Sequence, residues 1–173
     1  MLTAKNRKVW LVGYILFMVI AMAAPSRSFG LGLEVDPGEI YVKDVALGKK
    51  VAVSALGGER MKLQIENKGD SKCAYIINIL TSSKVGAPLT KGYTDIPDTA
   101  WIWPENKEVE ISGQSMKTVE LYIKIPQKKE YYNRQYQAVI EVKTKKNNPN
   151  DLFVLACLMK IHLSTCSAQA AQK

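Results

Sequence analysis

The sequence predicts an all-β domain, a sandwich or small barrel of about seven or eight short strands behind an N-terminal export segment. Three observations carry that prediction. From residue 31 onward, apolar and polar residues alternate with period two in several runs. Turn-forming clusters separate those runs at short intervals. No helical periodicity is found beyond the first segment.

The first segment is read apart from the fold. Met1–Lys8 carries Lys5, Arg7 and Lys8 and no acid, and the sixteen residues Val9–Ala24 carry no charge. Small, turn-forming residues follow, with possible cleavage sites at Ala21-Met22-Ala23 and Ser28-Phe29-Gly30. This layout predicts a secretory signal peptide over 1–23, with cleavage as late as residue 30. The alternative is a retained membrane anchor, although a span needs ~20 residues. Either version places the remainder outside the cytoplasm. The expected organisation is therefore a signal or anchor over 1–23, a β domain over 31–164, and a flexible tail over 165–173.

Asp36-Pro37-Gly38 marks a turn between two short extended pieces, and Val51 and Val53 suggest another short strand before Gly57-Gly58. Met61, Leu63 and Ile65 alternate with Lys62, Gln64 and Glu66, a half-buried strand with a wet face. Ala74–Leu80 is apolar on both faces and reads as a central strand. Thr81–Ala100 is polar, with Gly and Pro, and reads as a long connection. Met116–Ile125 places Val119, Leu121, Ile123 and Ile125 on one face, and Pro126 closes it. Tyr136, Ala138, Ile140 and Val142 then alternate with Gln137, Val139, Glu141 and Lys143. The run Leu152–Leu163 is apolar on both faces through Leu158.

Composition narrows the function. The chain has 173 residues, which suits one domain and is too short for a two-domain cofactor enzyme. An apolar content of 47% argues against a disordered chain. The net charge of +8 invites a nucleic-acid reading. However, Lys5, Arg7 and Lys8 belong to the export segment, and the other cations are spread along the chain. Lys128-Lys129 and Lys143-Thr144-Lys145-Lys146 are the densest groups. No nucleic-acid partner is expected, and membrane contact only through an uncleaved N-terminal segment. His162 is the single His and reads as a strand residue at a surface or sheet edge. Asp95 and Asp98 are ordinary loop acids, and the three Cys lack metal-ligand spacing. No catalytic, cofactor or metal site is expected.

Three pieces carry a family resemblance: LQIENKGD at 63–70, SGQSMKTVELYIKIP at 112–126, and YYNRQYQAVIEV at 131–142. From Val35 to Leu163 the chain resembles bacterial extracytoplasmic immunoglobulin-like domains. These include the sandwiches of pilus-chaperone type, major-sperm-protein-like domains, and Ig-like domains of cell-wall-associated proteins. The resemblance implies a single Ig-like sandwich, with Tyr136 near the start of strand F in the position of a tyrosine corner, its hydroxyl tied to upstream backbone. Ala138, two residues later, stands where antibody domains carry a Cys. In an Ig-like order strand F lies between C and G, so Cys73 and Cys157 would sit two strand spacings apart, about 9.5 Å. A disulfide needs Cα atoms within ~7 Å. The resemblance therefore implies no Cys73–Cys157 bridge and a free Cys157 in the core, with intermolecular pairing open to Cys166.

Two surfaces stand out. Leu152, Val154, Ala156 and Leu158 share one parity and offer an apolar strip to another chain, unless a loop covers them. Trp101 and Trp103 share strand parity and could stack sugars or partner side chains. The leading expectation is a non-enzymatic, secreted or envelope-anchored domain that binds a protein partner in an extracytoplasmic assembly. The alternatives are a carbohydrate or cell-wall binding module using Trp101 and Trp103, and a periplasmic assembly chaperone.

Overall fold

The chain folds as two β-layers facing each other across one apolar core. The computed structural model describes residues 32–58, 61–146 and 154–167, and the expected signal or anchor lies outside them. The described residues form twelve strands: β1 (Leu33–Asp36), β2 (Glu39–Val45), β3 (Val51–Ala52), β4 (Leu63–Asn67), β5 (Cys73–Leu80), β6 (Thr94–Asp95), β7 (Ile102–Pro104), β8 (Glu108–Ile111), β9 (Ser115–Val119), β10 (Leu121–Ile123), β11 (Gln135–Thr144) and β12 (Ala156–Thr165). The count exceeds the expected seven or eight because several strands are two- or three-residue pieces of interrupted ones.

One layer is a continuous sheet in the order β2-β12-β11-β5-β8, with β6 added beside the start of β11. The other layer comprises two three-stranded groups, β1-β4-β9 and β3-β10-β7. β1 and β2 link the two layers. β1 pairs with β4, the chain turns through Asp36-Pro37-Gly38, and β2 then runs parallel to β12 in the opposite layer.

Alternation fixes which side chains meet in the middle. Ile40 and Val42 of β2, Ile161 and Leu163 of β12, and Ala138, Ile140 and Val142 of β11 all face inward and are buried. They meet Leu63 and Ile65 of β4, Val119 of β9, and Leu121 and Ile123 of β10. Each fully buried aliphatic side chain of this kind contributes about 1.5–3 kcal/mol of transfer free energy.

The expected Met116–Ile125 strand is interrupted at Glu120. Its carboxylate accepts from the Ser54 amide at 3.2 Å and from the Ser54 hydroxyl at 2.5 Å, anchoring a short helix, α1 (Val53–Gly57). Val53 therefore opens a helical turn rather than belonging to a strand. Asn67 closes the other end of the sandwich. Its side-chain amide donates to the carbonyls of Ser71 (2.8 Å), Ile111 (3.1 Å) and Ser112 (3.2 Å), and its oxygen accepts from the Gly69 amide at 3.0 Å. Gly113 makes that close approach possible, since a Cβ there would lie 2.2 Å from the Asp70 carbonyl oxygen.

The expected tail boundary at 165 falls inside ordered structure. Thr165 belongs to β12 and Cys166 is buried; residues 168–173 lie outside the description.

Candidate docking edge on β12

β12 is flanked unequally along its length. On one side β11 follows it from Ala156↔Lys143 to Ser164↔Gln135. On the other side β2 begins only at Lys160↔Glu39. No described strand pairs with the far side of Ala156–Met159. β1 runs close by on that side without pairing, and the Cys157 thiol donates to its Leu33 carbonyl at 3.4 Å. Unpaired N–H and C=O groups along such an edge are a template for another strand.

Side chains on this half alternate. Val154 (40% exposed) and Leu158 (53% exposed) point outward with Ala156 between them, while Leu155 and Cys157 are half-buried. Cys157 has the core-facing parity but is not enclosed, because β1 covers it only partly. Burial pushes its thiol pKa up, with the nearby Glu34 charge adding to the effect. Leu152, the fourth expected member of the strip, lies outside the described residues.

The outer face of the sheet is covered at its other end. The long 81–98 connection lies over Gln137 and His162, which are cross-strand neighbours on β11 and β12. Gln137 accepts from the Thr90 amide at 2.9 Å and donates to the Ser82 hydroxyl (2.9 Å) and the Pro88 carbonyl (3.1 Å). The loop is braced in turn by Asp95, whose carboxylate accepts from the amides of Ser82 and Ser83. His162 was expected at a surface or sheet edge; it is instead 1% exposed. Tyr41 stacks on its ring, Tyr93 meets it edge-on, and Glu39 Oε2 lies 3.6 Å from its Nε2. Neither ring nitrogen has a hydrogen-bond partner among the described residues. Burial holds the His162 pKa below its ordinary value, against the upward pull of Glu39. Local alternation could not have revealed this pocket, because the residues that close it are far away in sequence.

The other expected residues separate. Trp101 ends a 3-10 turn (Thr99–Trp101), so strand parity does not apply to it. It is buried, with its ring edge-on to Tyr131 and Tyr136. Trp103 lies on β7, half-exposed, stacked on Tyr122 beneath the Lys50 ammonium. The two tryptophans therefore do not form a shared platform. Tyr136 stands near the start of β11, but its hydroxyl makes no corner hydrogen bond among the described residues; its ring packs on Trp101 instead. Cys73, Cys157 and Cys166 are all free, and β11 lies between the strands of the first two.

Comparison with known proteins places this architecture. No protein-family model matches the chain, and no curated protein matches it by sequence. Among solved structures it is similar to the ASH/PapD-like domain of human CEP192, at TM-score 0.52 and 9% identity, over 84% of this chain and 92% of that one. It is similar to the periplasmic chaperone SfaE, at TM-score 0.50 and 12% identity, over 78% of this chain. It is also similar, at TM-score 0.50 and 12% identity, to a chain of a chaperone–tip adhesin complex of CFA/I fimbriae biogenesis. The match spans only 58% and 56% of those last two chains. At such identities the likeness concerns the fold alone: the chain is an all-β, immunoglobulin-like sandwich, similar in fold to PapD-like domains.

Proposed function

We propose that this domain is a non-enzymatic, extracytoplasmic module of assembly-chaperone type, which holds a partner polypeptide along the leading half of β12. The observation that carries the reading is the combination on that half-strand. No described strand pairs with its far edge, and Ala156 and Leu158, with Val154 just before the strand, stand outward on alternate residues. Backbone groups would supply affinity, and the alternate apolar side chains would select the partner's grooves. The 81–98 loop covers Gln137 and His162 but leaves this strip bare. Two of the similar solved structures come from chaperones or their subunit complexes, which favours assembly work over a passive structural role. The uncharged Val9–Ala24 run behind a basic start supports export.

A photo-crosslinking residue at position 158, used in the intact protein in an envelope extract, tests the reading. The expected result is one dominant crosslinked protein, lost in Val154→Glu, with the amides of Ala156 and Leu158 protected from exchange in the complex. No crosslinked partner and unchanged amide exchange would overturn it. Binding to cell-wall glycan that survives Val154→Glu but is lost in Trp103→Ala would support the carbohydrate reading instead.

A further inference from the structure

A second opening lies on β5, at the other side of the continuous sheet. β8 pairs with β5 only over Cys73–Ile76, and one more backbone hydrogen bond, from the Ile77 amide to the Lys107 carbonyl at 2.9 Å, extends it before the 99–104 segment becomes the neighbour across the cleft. The chain before Lys107 turns away, because Ile102–Pro104 pairs with β10 in the opposite layer. The Lys145 amide donates to the Ala74 carbonyl at 2.8 Å, so even-numbered β5 residues direct their backbone groups to β11. In an antiparallel ladder the alternate residues face the other way. Ile79 therefore directs its N–H and C=O to the side that β8 has left.

This edge faces a cleft of about 690 Å³ that extends onto the outer face of the sheet. Ile79, Leu80 and Trp103 line it, and Lys84, Lys107 and Lys143 stand around it. Its one carboxylate, Glu141, is already engaged: it pairs with Lys143 at 2.9 Å and accepts from the Asn78 side-chain Nδ2 at 2.8 Å. Lys84 and Lys107 are exposed and form no ion pair among the described residues.

We propose that this cleft takes an extended acidic segment of a partner protein, added to β5 as a strand beyond Lys107. Ile79 supplies the backbone pairing. The apolar floor accepts every second side chain, and the exposed ammonium groups of Lys84 and Lys107 select carboxylates on the others. The proposal uses different residues from the β12 edge and stands independently of it.

The test uses the intact protein and a labelled, end-capped peptide of about ten residues alternating Glu and Val, long enough to span a strand. Fluorescence anisotropy is expected to show saturable binding that weakens at least about tenfold in Lys84→Glu/Lys107→Glu. Exchange of the Ile79 amide is expected to slow in the complex, and Leu158→Asp is expected to leave binding unchanged. Both lysines are exposed, so an unchanged melting temperature checks that the double variant is folded. No binding up to about 1 mM peptide would overturn the proposal. So would undiminished binding to the charge-reversed variant, or an unprotected Ile79. Equal binding of polygalacturonate without amide protection would assign the cleft to a polyanionic glycan and also overturn it.

Discussion

Tyr41 lies flat on His162, with ring centroids 4.2 Å apart and planes 6° from parallel. The stack closes one side of a pocket that holds the imidazole neutral. Tyr93 closes another, and Glu39 and Lys160 are the charged groups that face it. The Tyr41 hydroxyl donates to Glu39 Oε2 at 2.6 Å, which helps keep the Glu39 carboxyl pKa below its usual value.

Stability is expected to fall on acidification because of His162. Its folded-state pKa lies below the ordinary 6.5, so the unfolded chain binds the extra proton first. The contribution is fully present above pH 6.5 and is lost as pH drops from there toward the folded value. Urea midpoints of wild type and His162→Phe between pH 8 and pH 5 check this. The wild type should lose more than the variant over the lower half of that range.

Asn67→Ala is expected to destabilise the domain by about 1–3 kcal/mol for a single orphaned buried group, and by more if several remain dry. Three carbonyls and the Gly69 amide lose their partner together. Chemical denaturation gives the value. Asn67→Asp should not recover the loss, because its second carboxylate oxygen would face the three carbonyls that need a donor.

Two neighbouring β12 substitutions should separate stability from docking. Ile161 is fully buried, so Ile161→Ala should cost about 2–5 kcal/mol. Leu158→Asp, at an exposed position, should change stability by no more than about 0.5 kcal/mol yet abolish partner capture. Equal destabilisation by both would mean that Leu158 is enclosed.

Gln137→Leu should free the 81–98 loop without unfolding the sandwich. The Thr90 amide and Ser82 hydroxyl lose their partner. Hydrogen exchange should quicken at Thr90 while the amides of β11 stay protected.

Each thiol should react singly with iodoacetamide after denaturation without reductant. A Cys73–Cys157 peptide in non-reducing mass spectrometry would contradict the strand order, since β11 lies between β5 and β12.

The sandwich was legible where one face is wet and the other dry. Leu63–Glu66 and Tyr136–Val142 announce their strands by alternation alone, and the Ig-like resemblance places β11 between β5 and β12. Short-range pattern failed where a side chain contacts distant backbone. Glu120 looks like one more wet-face residue until Ser54 is brought to it. Trp101 looks like a partner for Trp103 until a 3-10 turn rotates it inward. At the docking edge, the alternating apolar residues could be read, but the edge itself could not. That edge depends on where β2 starts along β12, a relation between segments far apart in the chain.

That late start by β2 couples binding to the completeness of the domain. β12 is held between β11, its neighbour in sequence, and β2, which joins it across separations such as the 120 residues between Asp44 and Ser164. Pairings of such range form slowly, because a long loop must close before they are rewarded. Without β12, both β2 and β11 would present open sides and there would be no strip to offer. The strand that would grip another protein is thus the clasp that fastens this one, so competence to bind reports that the binder has itself finished folding.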